Sequence, residues 1–425
     1  MPRVSSRARR TPVAAALVAV VTAMLVASTG GTSTATDRGL DGPVPMTAQQ
    51  GDASADPSQA AAIARTIRTS MRDNHLRAVI VKVSVDGRNV ITRAFGESMT
   101  GVPATTDMHF RNGSVAIGYM SNVLLQLVDD GTVSLDDKVS RWLPTIPHAS
   151  EVTLGQLARM TSGYQDYVRD ETFIEGFLAN PFRHWTTLDQ LEAGAVKPLW
   201  FAPGTGWSYA HTNYVILGLA LEKITGMPLR ELLRTRVLEP MGLDQTRASV
   251  TASIPQPVLH AFSAERRAFL GIPDGTPFYE ESSFWNPSWT LAQGAIQTTD
   301  ITDLHATAIA FGTGALLSRE SYRASISTDL RGFGGPVPGC DTCATQTVRY
   351  SYGIGLVTTG DWIMQNPLFG GYSAVTAYLP SERIAIAIAV TYKAEAFENN
   401  GPVNQAQMLV RQVGALLAPD NAPPT

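Results

Sequence analysis

Charged residues make up only 16% of this 425-residue chain, and cysteine occurs twice. An average soluble protein is roughly one quarter charged. The formal net charge of -4 comes from interspersed signs, so there is no basic patch to suggest nucleic acid or an anionic membrane surface as a partner. Two cysteines cannot build a disulfide-rich scaffold, and a pair of thiolates with no third and fourth ligand argues against structural zinc. The seven histidines are scattered and no H-E-x-x-H occurs. The sequence therefore predicts no metal and no organic cofactor. Internal repeats are absent, which excludes a solenoid. No apolar run reaches the roughly 20 residues of a membrane-spanning helix. Hydrophobic content of 44% excludes disorder for the bulk, and length allows one to three domains.

What is present begins with an address. Arg3, Arg7, Arg9 and Arg10 precede an apolar run from Val13 to Val21, which resumes to Ala27, and the small residues Ser33, Thr34 and Ala35 follow. This is the layout of a cleavable signal peptide, expected over residues 1–35, with an uncleaved anchor as the alternative. Residues 36–57 are rich in Gly, Pro, Ser, Thr, Asp and Gln without a hydrophobic period and read as a flexible linker. The folded body is expected over 58–418, followed by a tail at 419–425. An exported location, secreted or in the periplasm or cell envelope, follows from the leader. In that setting the C-x-x-C of Pro338-Gly339-Cys340-Asp341-Thr342-Cys343 reads as a local disulfide pinning a turn.

Hydrophobic periodicity predicts a first helix from Ser58 to about Asn74, with Ile63, Ile67 and Met71 on one face. Ala78–Val85 and Asn89–Ala94 flank Asp86-Gly87-Arg88 as a hairpin, and Tyr372–Leu379 with Ile384–Thr391 form a second such pair. Helices are expected at Val115–Asp130, Thr153–Met160, Asn213–Thr225, Leu229–Leu238, Thr299–Ala310 and Val403–Leu417. Strands at both ends with helices between them do not give the alternation of a parallel sheet. The predicted fold class is α/β (α+β): an antiparallel sheet flanked by helices, with an inserted helical region over about 112–310.

Several ordered segments carry a family resemblance. Phe110-Arg111-Asn112-Gly113-Ser114 opens an apolar helix that runs into Leu124–Pro144. Val152–Gly163, Pro203–Glu222 with Tyr209-Ala210-His211, and Tyr352-Gly353-Ile354-Gly355-Leu356 follow in order. Together they resemble the penicillin-recognising serine hydrolases: β-lactamases, D-alanyl-D-alanine carboxypeptidases and related esterases. The resemblance implies a β-lactamase/DD-peptidase-like fold and an acyl-enzyme chemistry, in which a serine at a helix N-terminus attacks an amide, lactam or ester carbonyl. In that family an S-x-x-K lysine one turn on takes the serine proton, a Tyr-x-Asn element relays it, and a Lys-Thr-Gly or His-x-Gly strand binds the substrate carboxylate.

Carried over residue by residue, Ser114 matches the nucleophile, but Ile117 stands where the lysine belongs. Tyr209 matches the tyrosine, and His211 occupies the asparagine position. For the third element one alignment puts Gln365-Asn366-Pro367 in place and another Leu368-Phe369-Gly370, neither with a cation, while Gly370 and Gly371 are expected at the substrate pocket. Lys138, Lys197, Lys223 and Lys393 are distant candidates to replace the amine. A serine without a base is expected to be silent, and His211 is the one candidate for a new base. Two readings result. One is an altered hydrolase using Ser114, Tyr209 and His211 on esters or thioesters, and the other is a pseudoenzyme that binds a small-molecule, peptide or ester ligand of the cell envelope. A monomer is expected. Each site residue also has a plain structural role: Ser114 as an N-cap, Tyr209 as packing, His211 filling the asparagine volume. Asn112-Gly113-Ser114 spells a glycosylation sequon by chance, and Gly206-Trp207-Ser208-Tyr209-Ala210 is not a lipase elbow, because Pro203-Gly204 rather than a strand precedes it.

Overall fold

The computed structural model describes residues 57–273, 275–398 and 401–424, so the expected leader and almost all of the expected linker fall outside the described residues. The first helix, Pro57–Asp73, opens on a proline, whose fixed φ and missing N–H suit a first helical position. It buries Ile63 and Ile67. Asp86 and Gly87, both at positive φ, then make the two-residue turn that joins the strands Leu76–Val85 and Arg88–Met99.

The last long strand, Ile384–Tyr392, lies between Leu76–Val85 and Tyr372–Leu379 and pairs antiparallel with both, so the two ends of the domain meet at the sheet centre. Nine strands complete this antiparallel sheet. Its two faces differ in a way the Ile384–Val390 alternation explains. Ser84 lies opposite Ala385, and its Oγ is 2.9 Å from Nε2 of His305 in the helix Ile301–Thr313. Ala385, Ala387 and Ala389 therefore face that helix, while Ile384, Ile386 and Ile388 face the terminal helices Pro57–Asp73 and Gln405–Leu417. The small face admits a close approach: a Cβ on Gly312 would lie 2.1 Å from the ring of Tyr378, the partner of Ala385.

Between the two halves of the sheet lies the helical region, with the serine helix Val115–Asp129 and the histidine helix His211–Thr225 at its centre. The helix expected over Leu229–Leu238 is α-helical only to Leu233 and continues as a π turn. Three helices, Glu171–Ala179, Thr187–Gly194 and Arg319–Ser325, and the strands Val357–Thr359 and Trp362–Gln365 were not anticipated from periodicity. Two of those helices and the residues before them supply Tyr167, Phe173, Phe177 and Trp185 to a satellite core, completed by Trp285 from a later loop and apart from the main one. The last residues do not trail as a tail. Pro419–Asn421 forms a turn, and the Trp362 indole N–H donates to the Asn421 carbonyl at 2.7 Å, because the helix before it leaves the chain end beside the sheet. Cys340 and Cys343 are disulfide-bonded.

Candidate active site

A small sheet sets the serine. Phe110–Arg111 pairs with Gln297–Thr299, and Asn112 continues the contact, donating its backbone N–H to the Gln297 carbonyl (3.0 Å) and accepting the Gln297 N–H on Oδ1 (3.1 Å). Asn112 is completely buried, so the sequon is closed to a glycan. Arg111, also buried, anchors the surrounding loops through Ser249 Oγ (3.2 Å) and the carbonyls of Ser283 (2.5 Å) and Ala252 (2.8 Å). Desolvation brings its pKa down to about 10, which leaves it charged at neutral pH. Gly113 turns the chain at φ +50, and Ser114 caps the helix without a side-chain cap bond. Ser114 alone is partly exposed between Phe110 and Leu125, and among the described residues its N–H makes no backbone hydrogen bond, which leaves a donor at the positive end of the helix.

Ile117 follows one turn later, on the same helical face, and has no exposed surface. Several polar groups close to it pair with one another. Ser121 Oγ and the Tyr214 hydroxyl are 2.7 Å apart, Tyr214 donates to the Ala158 carbonyl at 2.8 Å, and Gln365 Nε2 donates to the Gly355 carbonyl at 2.5 Å. Gly355, at φ +70, presses so close to the helix that a Cβ there would sit 2.0 Å from Ser121 Oγ, which requires glycine. Among the four lysines, Lys138 donates to the Glu151 carbonyl (2.7 Å), Lys197 pairs with Asp170 (2.6 Å), Lys223 is in the last turn of the histidine helix, and Lys393 caps the turn Ala394–Phe397.

Tyr209 donates from its hydroxyl to Ser114 Oγ at 3.3 Å. Burial pushes the phenol well above its usual range, with Asp166 adding to the effect and the bond to Ser114 opposing it, so the tyrosine is neutral and holds its proton. His211 is the first residue of its helix. Its ring lies 5.1 Å from that of Tyr209, edge to face. Its Nδ1 contacts both carboxylate oxygens of Asp166, at 3.2 and 3.0 Å, and its backbone N–H donates to the same carboxylate at 3.1 Å. Asp166 is almost fully buried and also caps Val168 N–H at 3.4 Å. These donors and the helix N-terminus are what make a buried carboxylate tolerable. The pairing assigns the proton to Nδ1 and leaves Nε2 as the acceptor, bonded to no described residue. Asp166 was missed in the sequence, where an aspartate before a short turn is an ordinary cap signal.

Both registers of the third element place a residue against the serine loop. Gln365 is buried in a strand and turned to Gly355, whereas Pro367 and Phe369 lie against Gly113, at 2.6 and 2.7 Å from where its Cβ would be. An apolar surface thus stands beside Gly113, in line with both uncharged registers read from the sequence. Phe369 is half-buried and continues toward Trp289, 6.4 Å away, and Phe177. Gly370 and Gly371 form the two-residue turn after Phe369, at φ +52 and +79, packed on Trp285 and Phe262, with Ser282 Oγ donating to the Gly370 carbonyl at 2.6 Å. They are buried and support the hairpin from behind. Among the described residues, no cluster of His, Cys, Asp and Glu could hold a metal ion.

A serine at a helix N-terminus with a tyrosine hydroxyl 3.3 Å from its Oγ, in a chain built of a nine-stranded antiparallel sheet and a helical region, belongs to a β-lactamase/penicillin-binding-protein-like fold. The chain belongs to the Beta-lactamase family, whose profile matches residues 63–407. It is 29% identical over 164 residues to penicillin-binding protein 4* of Bacillus subtilis, covering 37% of this chain and 34% of that one. It is 30% identical over 217 residues to esterase EstB of Burkholderia gladioli, covering 47% and 55%. The chain thus spans about a third to just over half the length of these curated relatives. A D-stereospecific amidohydrolase from Streptomyces sp. shares the fold at TM-score 0.66 and 24% identity, covering 80% of this chain and 97% of that one. A D-amino acid amidase from Ochrobactrum anthropi does so at TM-score 0.69 and 20% identity, covering 85% and 99%.

Proposed function

We propose that the protein is an exported serine hydrolase of neutral carboxylic esters or thioesters, acting through an acyl-Ser114 intermediate with the Asp166–His211 pair as its base. The observation that carries this reading is the pair itself: a histidine with Nδ1 fixed by a buried carboxylate and Nε2 free, on the far side of the tyrosine that touches Ser114. Substrate binding brings Ser114, the Tyr209 hydroxyl and Nε2 into one line, as catalytic hydrogen bonds tighten on complex formation. Ser114 Oγ attacks the carbonyl carbon while its proton passes through the Tyr209 hydroxyl to Nε2. The Ser114 N–H at the helix end stabilises the oxyanion. The tetrahedral adduct expels the alkoxide or thiolate, which takes the proton from the imidazolium. Water, deprotonated by His211, then attacks the acyl carbon, and as the acid leaves the imidazolium returns the proton through the Tyr209 hydroxyl to Ser114 Oγ.

Esters suit a site without lysine because their leaving groups need less protonation than amines. Neutral acyl groups suit it because Pro367 and Phe369 replace the cation beside Gly113. Relatives named esterase and carboxypeptidase support hydrolytic acyl transfer, and the leader supports export. A second reading, a binder of envelope peptides or esters without turnover, is favoured by the burial of Ile117 and by the proton that Tyr209 retains. Labelling of the mature protein by a fluorophosphonate, together with hydrolysis of p-nitrophenyl acetate, separates the two. Labelling and turnover lost in both Ser114→Ala and His211→Asn are expected. No labelling of well-folded protein would sink the hydrolase reading and leave the binder.

A further inference from the structure

The disulfide lies far from the serine in sequence, yet its contacts lead to both arms of the candidate relay. Thr342 Oγ1, inside the bonded turn, is 2.7 Å from Ser208 Oγ, and Cys343 forms an antiparallel bridge with Ser208. Ser208 Oγ also lies 3.7 Å from Cys340 Sγ. From its other side Ser208 donates its N–H to the Met160 carbonyl at 3.1 Å, so this residue is clamped, and the next one is Tyr209. The second arm is lighter. Asp341 Oδ2 is 3.9 Å from Nη1 of Arg169, the last residue of the turn Tyr167–Arg169, whose cap is Asp166. Both cysteines are buried.

We infer that the Cys340–Cys343 turn is a positioning element that holds Tyr209, and more weakly Asp166, in register with Ser114 and His211. This rests on the reading of those four residues as a hydrolytic site. A bond between residues three apart closes a short loop, so it stabilises the whole domain less than a long-range crosslink would, since the chain-entropy gain grows with loop length. Its effect is local, on the backbone that Thr342 and Cys343 grip. Cleavage by an external dithiol is balanced: the reductant gives two electrons and two protons, leaving two cysteine thiols and its own disulfide. The reduced turn then releases Ser208.

The test compares the wild-type protein with the double variant Cys340→Ser/Cys343→Ser, and with Thr342→Val, which keeps the disulfide and removes the hydroxyl contact. The expected result is a kcat for p-nitrophenyl acetate at least tenfold lower in the double variant, with KM within threefold and a single cooperative unfolding transition retained. Faster amide hydrogen exchange should be confined to residues 160–170 and 203–212, and Thr342→Val should move the same way to a smaller extent. Should the double variant not fold, Thr342→Val decides alone. Unchanged exchange in both segments overturns the inference, as does unchanged kcat. A wild-type protein that hydrolyses no ester refutes the functional reading, while the exchange data still decide the positioning.

Discussion

Ile117→Lys restores the missing amine to a position whose surroundings allow its consequences to be worked out. Ile117 is fully buried, and the groups named around it, Ser121, Tyr214 and Gly355, are neutral and already hydrogen-bonded. Losing the isoleucine forfeits about 2 kcal/mol of apolar burial, partly regained by the lysine methylenes. The larger effect is electrostatic. With no anion among those neighbours, desolvation lowers the folded-state lysine pKa from about 10.4 by roughly three units. Below a folded-state pKa of about 7.4 the buried lysine stays charged and the variant carries the full penalty of the shift, at about 1.4 kcal/mol per unit, or about 4 kcal/mol. The sign follows from proton counting. Between the folded and unfolded pKa values the unfolded chain binds the extra proton, so the variant gains stability as pH rises through about 7 to 10, and the penalty is constant below that window.

Urea unfolding of wild type and variant at several pH values from 6 to 9.5 gives this difference directly, with a slope near 1.4 kcal/mol per unit above pH 7. A flat difference would mean that the ammonium reaches water or an anion, and the picture of a dry, apolar position 117 would be wrong. Activity supplies an independent arm. A neutral amine one helical turn from Ser114 is a general base, worth about 10²- to 10⁴-fold, so fluorophosphonate labelling should accelerate by at least the lower figure. A variant with the predicted pH slope and no acceleration would refute the idea that residue 117 limits the serine.

Asp166→Asn should lower kcat for p-nitrophenyl acetate by about 10²- to 10⁴-fold, since an amide can hold His211 in the wrong tautomer, and steady-state kinetics with an unchanged kcat would remove the pair from the mechanism. Phe369→Lys puts a cation beside Gly113 and should raise kcat/KM for a succinate monoester over the acetate ester by about tenfold, the worth of roughly 1.4 kcal/mol from one charge-assisted contact; no change in the ratio would show that this side chain does not face the acyl group. His305, buried on Ser84, has its pKa brought down to about 3 by desolvation first and Lys82 second. The unfolded chain protonates this residue below about 6.5, so stability is lost as pH falls from there toward 3, and His305→Gln should flatten acid unfolding over that window by up to about 1.4 kcal/mol per unit.

The parts of the site legible in the sequence are those whose signals are local. Ser114 stands out because its flanks and its apolar helix are contiguous, and Tyr209 and His211 because Pro203–Glu222 reads as one segment. Asp166 is 45 residues from His211, and only tertiary packing joins them. The third element was ambiguous in sequence between two uncharged registers, and each contributes an apolar residue against Gly113, Pro367 from one and Phe369 from the other, while Gln365 turns to Gly355. The helices Glu171–Ala179 and Thr187–Gly194 carry readable caps in Asp170 and Thr186, yet one buries its aromatics in a satellite core and the other is a short helix with little apolar face, so neither shows a clear period. The alternating strand Ile384–Val390 was readable because a sheet with two unlike faces imposes a strict period of two. The fold and the altered pocket are compatible for a related reason. The glycines at 113 and 355 and the bonds among Ser121, Tyr214 and Ala158 hold the backbone around Ser114 whether or not an amine is present. An apolar residue at 117 is thus compatible with the framework, and under the proposed hydrolase reading the base comes from the neighbouring helix, where His211 has a buried carboxylate behind it.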